Sequence, residues 1–567
     1  MIPMRDTLID CLLAQAKGRP NALYARYLFS DREPVEMDFA STLERTRRFA
    51  AGYAAHGVRK GSVVLVILEH HEDLMPAFLG ATWLGAIPAF LPYPNPKTHP
   101  ERFFESLKEM IATSRPRLIV SRASVCEILE KSVPDGVPDR PLFLTVEQVT
   151  ASELHPAPEP HGPEDVALIQ YSSGSTGSQK GAALSHRAIL KEIAGVGEFF
   201  EITDRDSFMT WVPLYHDWGL VCVALHALAI GTSYTLMSPI DWVLRPALGL
   251  VAAARYGTSI FYQPNFAFNF MAQRIKDQAM EGVDLSSIRL MCNGAEPCFY
   301  DSHKMFAERF QRWRFRPESL GIVYGMAEVT NSVIAAGHRE PIQVDVIDRF
   351  VLQNELRAQP IAEGHANAQR MLGVGRALAE TEFKLVDDQR REIPERHVGE
   401  VAIRSRAVFH GYYNNPKATA TCLDADGWYY SGDMGYRVGN ILYITGRKSD
   451  MIIVGGVNIY PQDIEAIVGE HPMAVAGRIA AVGVDDVETG TQKIVLLVEA
   501  RSQDPKVLAE ISEFARATVA QRLNVIVSQI VHLPERWLHK TSSGKIARLP
   551  NYRRLVEEGR LVPGPVQ

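Results

Sequence analysis

Hydrophobic positions in the first two-thirds of the chain fall into short unbroken runs, each followed by a turn and a stretch with helical spacing. Gly61-Ser-Val-Val-Leu-Val-Ile-Leu68, Arg117-Leu-Ile-Val120, Ala167-Leu-Ile-Gln170 and Tyr234-Thr-Leu-Met-Ser238 are runs of this kind. Ser259–Gln263, Ile288–Cys292 and Leu320–Tyr324 continue the series. Strands apolar on both faces, alternating with helices such as Leu248–Arg255, predict parallel sheets covered on both sides. In such α/β folds the chemistry collects in loops beyond the strand C-termini. The longest apolar stretch, Gly219–Met237, is interrupted by His226, Gly231 and a Thr-Ser-Tyr-Thr cluster. It predicts a buried helix followed by a strand, not a membrane span.

From about Thr381 the pattern becomes alternating, at Glu382–Val386, Gly399–Ile403 and Asn440–Ile444, which predicts a small antiparallel subdomain. After Gly446 it turns to mixed α+β, with a helix near Gln462–Gly469, a strand at Lys493–Glu499 and a helix at Lys506–Arg522. The polar, turn-rich Thr445–Asp450 marks a boundary there. The expected division is an N-terminal domain of residues 1–446 and a C-terminal domain of residues 447–567. His155–Pro163 reads as an extended, Pro-rich connector.

Composition narrows the class. A chain of 567 residues calls for more than one core, and 46% hydrophobic with 22% charged residues is the balance of a globular enzyme. A formal charge of −6 argues against nucleic acid as a partner, and Arg45–Arg48 and Arg390–Arg391 read as solvated faces. The six cysteines form no Cys-x-x-Cys pair and the N-terminus has no apolar signal region, so reduced thiols and a cytoplasmic location are expected.

The candidate chemistry begins at Tyr171-Ser-Ser-Gly-Ser-Thr-Gly-Ser-Gln-Lys-Gly181. Glycines let a backbone approach an anion closely, while hydroxyls, exposed amides and a lysine bond phosphate oxygens. Ser173, Gly174, Ser175, Thr176, Gly177 and Lys180 are therefore candidate phosphate ligands. No Lys-Ser or Lys-Thr pair closes a Walker frame, so phosphate is gripped in another way.

Four more motifs follow in order: Tyr324-Gly-Met-Ala-Glu328, Tyr430-Ser-Gly-Asp433, Gly446-Arg447 and Ser543-Gly-Lys545. With the glycine-rich run they resemble the adenylate-forming superfamily, which includes acyl-CoA synthetases, luciferases and the adenylation domains of peptide synthetases. The resemblance covers nearly the whole chain. It implies a large N-terminal domain of parallel α/β sheets with a small β-barrel-like subdomain, then a small mobile α+β domain that carries the catalytic lysine. It implies ATP and Mg2+, with Glu328 and Thr176 as metal ligands, Tyr324, Gly325, Met326 and Ala327 at the nucleotide, and Asp433 and Arg447 at the ribose. Gly294, Ala295 and Glu296, in Asn293-Gly-Ala-Glu-Pro297, would flank the adenine. Lys545 would bridge carboxylate and phosphate, and His216 would line the carboxylate site. Asp217, Trp218 and Asn265 would line the acyl pocket, and Ser449 would occupy the hinge position, where Asp or Lys is usual.

Within the superfamily the chain is most similar to fatty acyl-AMP ligases. Leu214-Tyr-His-Asp217, Met237-Ser-Pro-Ile240 with Arg245-Pro246, Gln263-Pro-Asn-Phe-Ala267, Asn293–Pro297 and Tyr460-Pro-Gln-Asp-Ile464 carry that likeness. Between Glu328 and Gly373 there is room for the insertion of that branch, and Val344–Arg349 resembles its start. The implied reaction joins a fatty acid to AMP, then passes the acyl group to an acyl carrier protein. A CoA ligase shares the first half-reaction and is the alternative. A non-catalytic carrier-protein-binding scaffold would have no use for intact Glu328, Asp433, Arg447 and Lys545. The bulk of Trp218 predicts medium-length acyl chains.

Overall fold

The computed structural model describes residues 5–94, 100–132, 140–171, 179–338, 340–454, 457–486, 491–540 and 545–561. Among these residues one sheet of fourteen strands dominates. Its centre is parallel: Leu23–Leu28, Ser233–Met237, Ser207–Thr210, Ile260–Tyr262, Leu290–Asn293 and Leu320–Gly325 lie side by side. These are the runs apolar on both faces, and helices such as His186–Phe199 and Ala247–Tyr256 bury apolar side chains against them.

At Gly325 the chain reverses. Ser332–Gly337 returns antiparallel along Leu320–Gly325, and Ala368–Ala377, Ile441–Arg447, Tyr429–Val438, Gly399–Ser405 and Thr381–Val386 follow, all antiparallel. Ile334 and Ala335 pair with Ala377 and Arg376, so the alternating strands continue the parallel sheet without a break. The insertion region is ordered in this zone. Val344–Asp348 pairs with Ala368–Ala377, and Asp348 caps the helix Arg349–Glu355 by accepting from the Phe350 and Val351 amides.

A second sheet, Ile87–Phe90, Val63–Ile67, Leu118–Ser121 and Leu142–Thr145, is entirely parallel. Val166–Tyr171, expected in the parallel series, departs from it and pairs antiparallel with Gly181–Ser185. The reason is the short connection: a parallel pair needs a crossover, whereas an antiparallel pair closes over a tight loop. Tyr171 faces Gly181 in that register, so the glycine-rich run leaves and re-enters the sheet at one point.

The stretch Gly219–Met237 is a helix and a strand, as expected, buried at every position but Ser233, and its first turn is wide. Leu220–Leu225 is π-helical, His226–Ile230 is α-helical, and Gly231, at φ 78°, ends the helix before the strand Ser233–Met237. No helix among the described residues is long and apolar enough to cross a membrane.

Toward the C-terminus, Ala474–Asp486, Thr491–Ala500 and Val527–Leu533 form a three-stranded sheet. Pro461–Val468 and Pro505–Leu523 cover one face, and Tyr552 and Leu555 of Arg548–Glu557 pack on the other. Both apolar clusters of this sheet draw all their members from residues 452–561. The six cysteines are unpaired.

Candidate active site

Three of the suspected motifs stand where parallel strands end. Asn293 closes Leu290–Asn293, Tyr324 and Gly325 close Leu320–Gly325, and His216 follows Ser207–Thr210. At Gly325 a side chain would stand 1.5 Å from the Asn331 carbonyl oxygen, so glycine alone permits the reversal there. Ala295 sits at φ 63°, a left-handed conformation that costs an alanine about 1 kcal/mol and is found at ligand-binding turns. Gly294 lies below it, where a Cβ would stand 2.8 Å from the Val323 carbonyl oxygen and 3.4 Å from the Trp218 indole.

Side-chain bonds anchor that turn from behind. Glu296 accepts a hydrogen bond from the Phe266 amide at 2.6 Å, and burial raises its carboxyl pKa against the pull of Lys545 and Lys540. Asn265 is buried, and its side chain is committed to this brace. It accepts from Asn293 Nδ2 at 2.9 Å and from the Phe299 amide at 3.1 Å, and donates to Ser302 Oγ at 3.1 Å. Its polar atoms hold the 293–299 loop in shape. Asn293 also reaches the His303 ring at 2.8 Å.

Beyond this turn Tyr324 donates to Asp433 Oδ2 at 2.9 Å, and Arg447 Nε stands 2.8 Å from Asp433 Oδ1. Asp433 and Arg447 are cross-strand partners. The charge of Asp433 raises the Arg447 pKa further, and burial raises that of Tyr324. Asp433 lies within the strand Tyr429–Val438, although Ser431-Gly-Asp433 reads like a turn. The turn-like sequence has a physical source: Gly432 takes φ 72° and the register shifts between Met434 and Gly435, so the strand is kinked at this point.

Met326 is extended, and Ala327, Glu328 and Val329 form a single tight turn beyond Gly325. Glu328 is buried at 8% exposure and accepts a hydrogen bond from the Tyr412 hydroxyl at 2.6 Å. Its backbone oxygen accepts from the Phe409 amide at 2.8 Å. Lys180 Nζ lies 5.1 Å from the centre of the same Tyr412 ring. Tyr412 therefore joins the glycine-rich run to the Glu328 motif, a role that no sequence spacing signalled. Its one hint was the Gly411-Tyr-Tyr413 turn. Ser173, Gly174, Ser175, Thr176 and Gly177 lie outside the described residues.

His216, Asp217 and Trp218 stand at the helical turn Asp217–Gly219. His216 Nδ1 stands 2.6 Å from Asp217 Oδ1, which also accepts from the Trp218 amide at 2.7 Å. Burial works to raise the Asp217 pKa, but His216, the Trp218 amide and Lys545 outweigh it, and the net shift is downward. Trp218 itself is 2% exposed and meets Tyr262 edge to face at 5.7 Å.

Lys545 stands ahead of the helix Arg548–Glu557, open to solvent yet ringed by protein. That crowding, with the charge of Arg447, lowers its pKa, while Asp433, Glu296 and Asp217 oppose the shift. One lysine thus feels Asp433, Glu296 of the 293–297 turn and Asp217 together. At the expected hinge, Ser449 Oγ donates to Asp450 Oδ1 at 3.1 Å. Asp450 Oδ2 in turn accepts from Arg548 Nη1 at 2.6 Å, and Arg548 forks onto both oxygens of Glu465 at 2.6 and 2.8 Å.

Known proteins resemble this chain in sequence and fold. The chain matches the AMP-binding enzyme family over residues 12–413. It is 28% identical to the long-chain-fatty-acid–AMP ligase FadD32 of Mycolicibacterium smegmatis, with 94% of this chain and 91% of that protein covered. It is also 28% identical to a 4-hydroxyphenylalkanoate adenylyltransferase of Mycobacterium marinum, with 96% of this chain and 90% of that protein covered. A structure solved in a study of fatty acyl-adenylate ligases from E. coli and L. pneumophila superposes with a TM-score of 0.91 at 25% identity, covering 99% of this chain and 100% of that one. The chain belongs to the AMP-binding enzyme family, the adenylate-forming ligases.

Proposed function

We propose that this protein is a fatty acyl-AMP ligase. The carrying observation is the position of Lys545, within electrostatic reach of Asp433 and Arg447 on one side and Asp217 on the other. A carboxylate is a poor electrophile, and its activation requires two anions to meet. The carboxylate oxygen of the fatty acid attacks the α-phosphorus of ATP, the bond to the bridging oxygen breaks, and pyrophosphate leaves with that electron pair. Lys545 carries the positive charge between acid and phosphate, and a preorganised cation in a crowded cleft is worth most there. Asp433 accepts the ribose hydroxyls, and Tyr324 and the Gly294–Glu296 turn enclose the base. His216 lies beside the incoming carboxylate.

Glu328 fits a Mg2+ site in this reading. Among the described residues no group of three or more His, Cys, Asp or Glu side chains could hold a metal ion, so a hard cation at Glu328 would share the phosphate oxygens of ATP as ligands. Bound there, with Thr176, the ion supplies charge neutralisation at the phosphates. Residues 1–446 would hold acid and nucleotide, and residues 447–567 would form a mobile domain turning about Ser449. Trp218, buried under Gly294, shortens the acyl pocket and favours medium-length chains. The acyl group then passes to the phosphopantetheine thiol of an acyl carrier protein in the cytoplasm.

The test is incubation with ATP, Mg2+ and decanoate, followed by CoA or a holo-acyl carrier protein. Acyl-AMP that accumulates and is cleared only by the carrier is the expected result. Ready release of decanoyl-CoA would replace the carrier with CoA as acceptor. An absence of pyrophosphate release with every fatty acid would remove the ligase reading.

A further inference from the structure

The helix Arg548–Glu557, just after Lys545, buries Asn551, Tyr552 and Leu555. Tyr552 and Leu555 join the apolar cluster on the C-terminal sheet, with Ala480, Val482, Leu497 and Leu533. Asn551 lies one turn before Leu555 and is 0% exposed. An asparagine forms helix less readily than a leucine, and a buried carboxamide needs its bonds met. This position gives up apolar packing for what the side chain bonds.

Those bonds join the two ends of the segment that carries Lys545. Asn551 Oδ1 accepts from the His539 amide at 2.7 Å. Its Nδ2 donates to the His539 carbonyl at 2.9 Å and to the Ala547 carbonyl at 2.8 Å. Both amide hydrogens and the oxygen are thus engaged. His539 and Ala547 stand on either side of Lys545 in the chain. The Ala547 amide also bonds the His539 carbonyl at 3.1 Å, and Lys540 bridges Ile546 antiparallel. Ala547 caps the helix without a side-chain hydrogen bond, so Asn551, from the second turn, does the fixing that a Ser or Asp cap would do.

Other contacts hold one end at a time. Buried Glu499 accepts from the Leu538 amide at 2.6 Å and from the Arg536 amide at 2.8 Å. Arg554 donates to the Trp537 carbonyl at 2.9 Å and stands 2.8 Å from His539 Nε2. Arg548 ties the trailing end to Asp450 and Glu465. Asn551 bonds both ends with one rigid group.

We propose that Asn551 is a positioning residue for adenylation: its carboxamide clamps both ends of the Lys545 segment and so fixes where the ammonium stands between acid and phosphate. The inference rests on the ligase reading above and adds a residue to its machinery. Closed off from solvent, Asn551 acts through the lysine and not on a substrate. Displacing a reacting group by an ångström is enough to cost a large part of the rate.

The experiment is a double-mutant cycle on the whole chain, with acyl-AMP formation from ATP, Mg2+ and decanoate measured per folded enzyme by circular dichroism. Asn551→Leu keeps the volume and removes all three bonds. It should lower kcat by about 10²-fold and leave the KM for ATP and for decanoate within about 2-fold. In a Lys545→Ala background it should cost nothing further, because the group it places is gone. The alkaline limb of its pH–rate profile should move to higher pH, as the freed lysine leaves the crowding and the Arg447 charge that lower its pKa. The position of that limb does not depend on how much of a variant folds. Asn551→Asp keeps an acceptor for the His539 amide, loses both donated bonds and should show the same pattern. An unchanged kcat overturns the proposal, as does a loss that adds in full to that of Lys545→Ala. So does a lowered rate with the limb unmoved, since Asn551 then serves stability alone. Wild-type protein that forms no acyl-AMP is a distinct failure: it removes the ligase reading, and this inference falls with it.

Discussion

The Tyr324 hydroxyl donates to Asp433 at 2.9 Å, and this single bond ties the end of the last parallel strand to the kinked strand of the antiparallel region. Arg447 holds the other oxygen of the same carboxylate. Asp433 is thus oriented from both sides before any nucleotide arrives. Asp433→Asn should raise the KM for ATP by about 10-fold or more, since bonds to charged groups contribute about 1.5–3 kcal/mol. Tyr324→Phe removes one orienting bond worth about 1 kcal/mol and should raise it about 5-fold. Initial rates at varied ATP measure both, and the KM for the acid should move little.

Glu328 should show its role through magnesium. Glu328→Gln keeps the volume and the Tyr412 bond but loses the charge. Acyl-AMP formation should drop by about 10²-fold, and the Mg2+ concentration for half-maximal rate should rise. Tyr412→Phe leaves the carboxylate in place and should cost only about 5-fold. Titration of Mg2+ at fixed ATP separates the two variants. An unchanged Mg2+ requirement in Glu328→Gln would count against a metal at this carboxylate.

Lys545 sets an expected pH limb. Crowding by protein and the Arg447 charge lower its pKa, so it sheds its proton at lower pH than an ordinary lysine. The adenylation step needs the charged form, so the rate should fall on the alkaline side at a pH below the usual lysine value of about 10.4. Lys545→Arg should move that limb upward, because a guanidinium keeps its proton. Lys545→Ala should abolish the limb along with most of the rate. A pH–rate profile of acyl-AMP formation reads all three.

Glu192 links stability to pH with the opposite sign from a surface carboxylate. Its folded pKa of about 8 lies above the ordinary value of 4.5, so the native state binds the proton more tightly than the unfolded chain. Its contribution is fully present below pH 4.5 and is lost as pH rises through about 8. Glu192→Gln removes that dependence. The Tm of the native protein should therefore decline relative to the variant as pH rises across this window, and thermal melts at several pH values test it.

Arg548 should matter to the C-terminal region. It bonds Asp450 and both oxygens of Glu465, all three side chains being largely shielded from water. Arg548→Met leaves two carboxylates unpaired and should destabilise this region by about 1–3 kcal/mol. Adding Glu465→Gln should restore part of the loss, as read by chemical denaturation.

Much of the fold was legible because burial on both faces leaves a direct mark on sequence. The runs at Val63–Ile67, Leu118–Ser121, Ser233–Met237 and Leu290–Asn293 have no polar face to hide, and all four are parallel strands. Local signals failed where conformation depended on a distant partner. Val166–Tyr171 looks like its parallel neighbours, yet its partner is the strand just after the glycine-rich run. The Ser-Gly-Asp turn signature at Asp433 describes a kink inside a strand, since a positive-φ glycine reads the same in either setting.

The order of motifs along the chain determined the family, and it singled out Tyr324, Glu328, Asp433, Arg447 and Lys545 as the candidate residues. Hydrophobic periodicity determined which segments are strands and which helices. Only the tertiary structure decided that Tyr412 joins Lys180 to Glu328, and that Asn265 braces the 293–299 loop. It alone set Trp218 edge to face on Tyr262 and brought Cys222 and the Ser332 amide to Glu192. The physical reason is range. Propensity and periodicity act over a few residues, whereas a hydrogen bond joins groups far apart in the chain, 140 positions in the bond from the Ser332 amide to Glu192, and no local pattern encodes it.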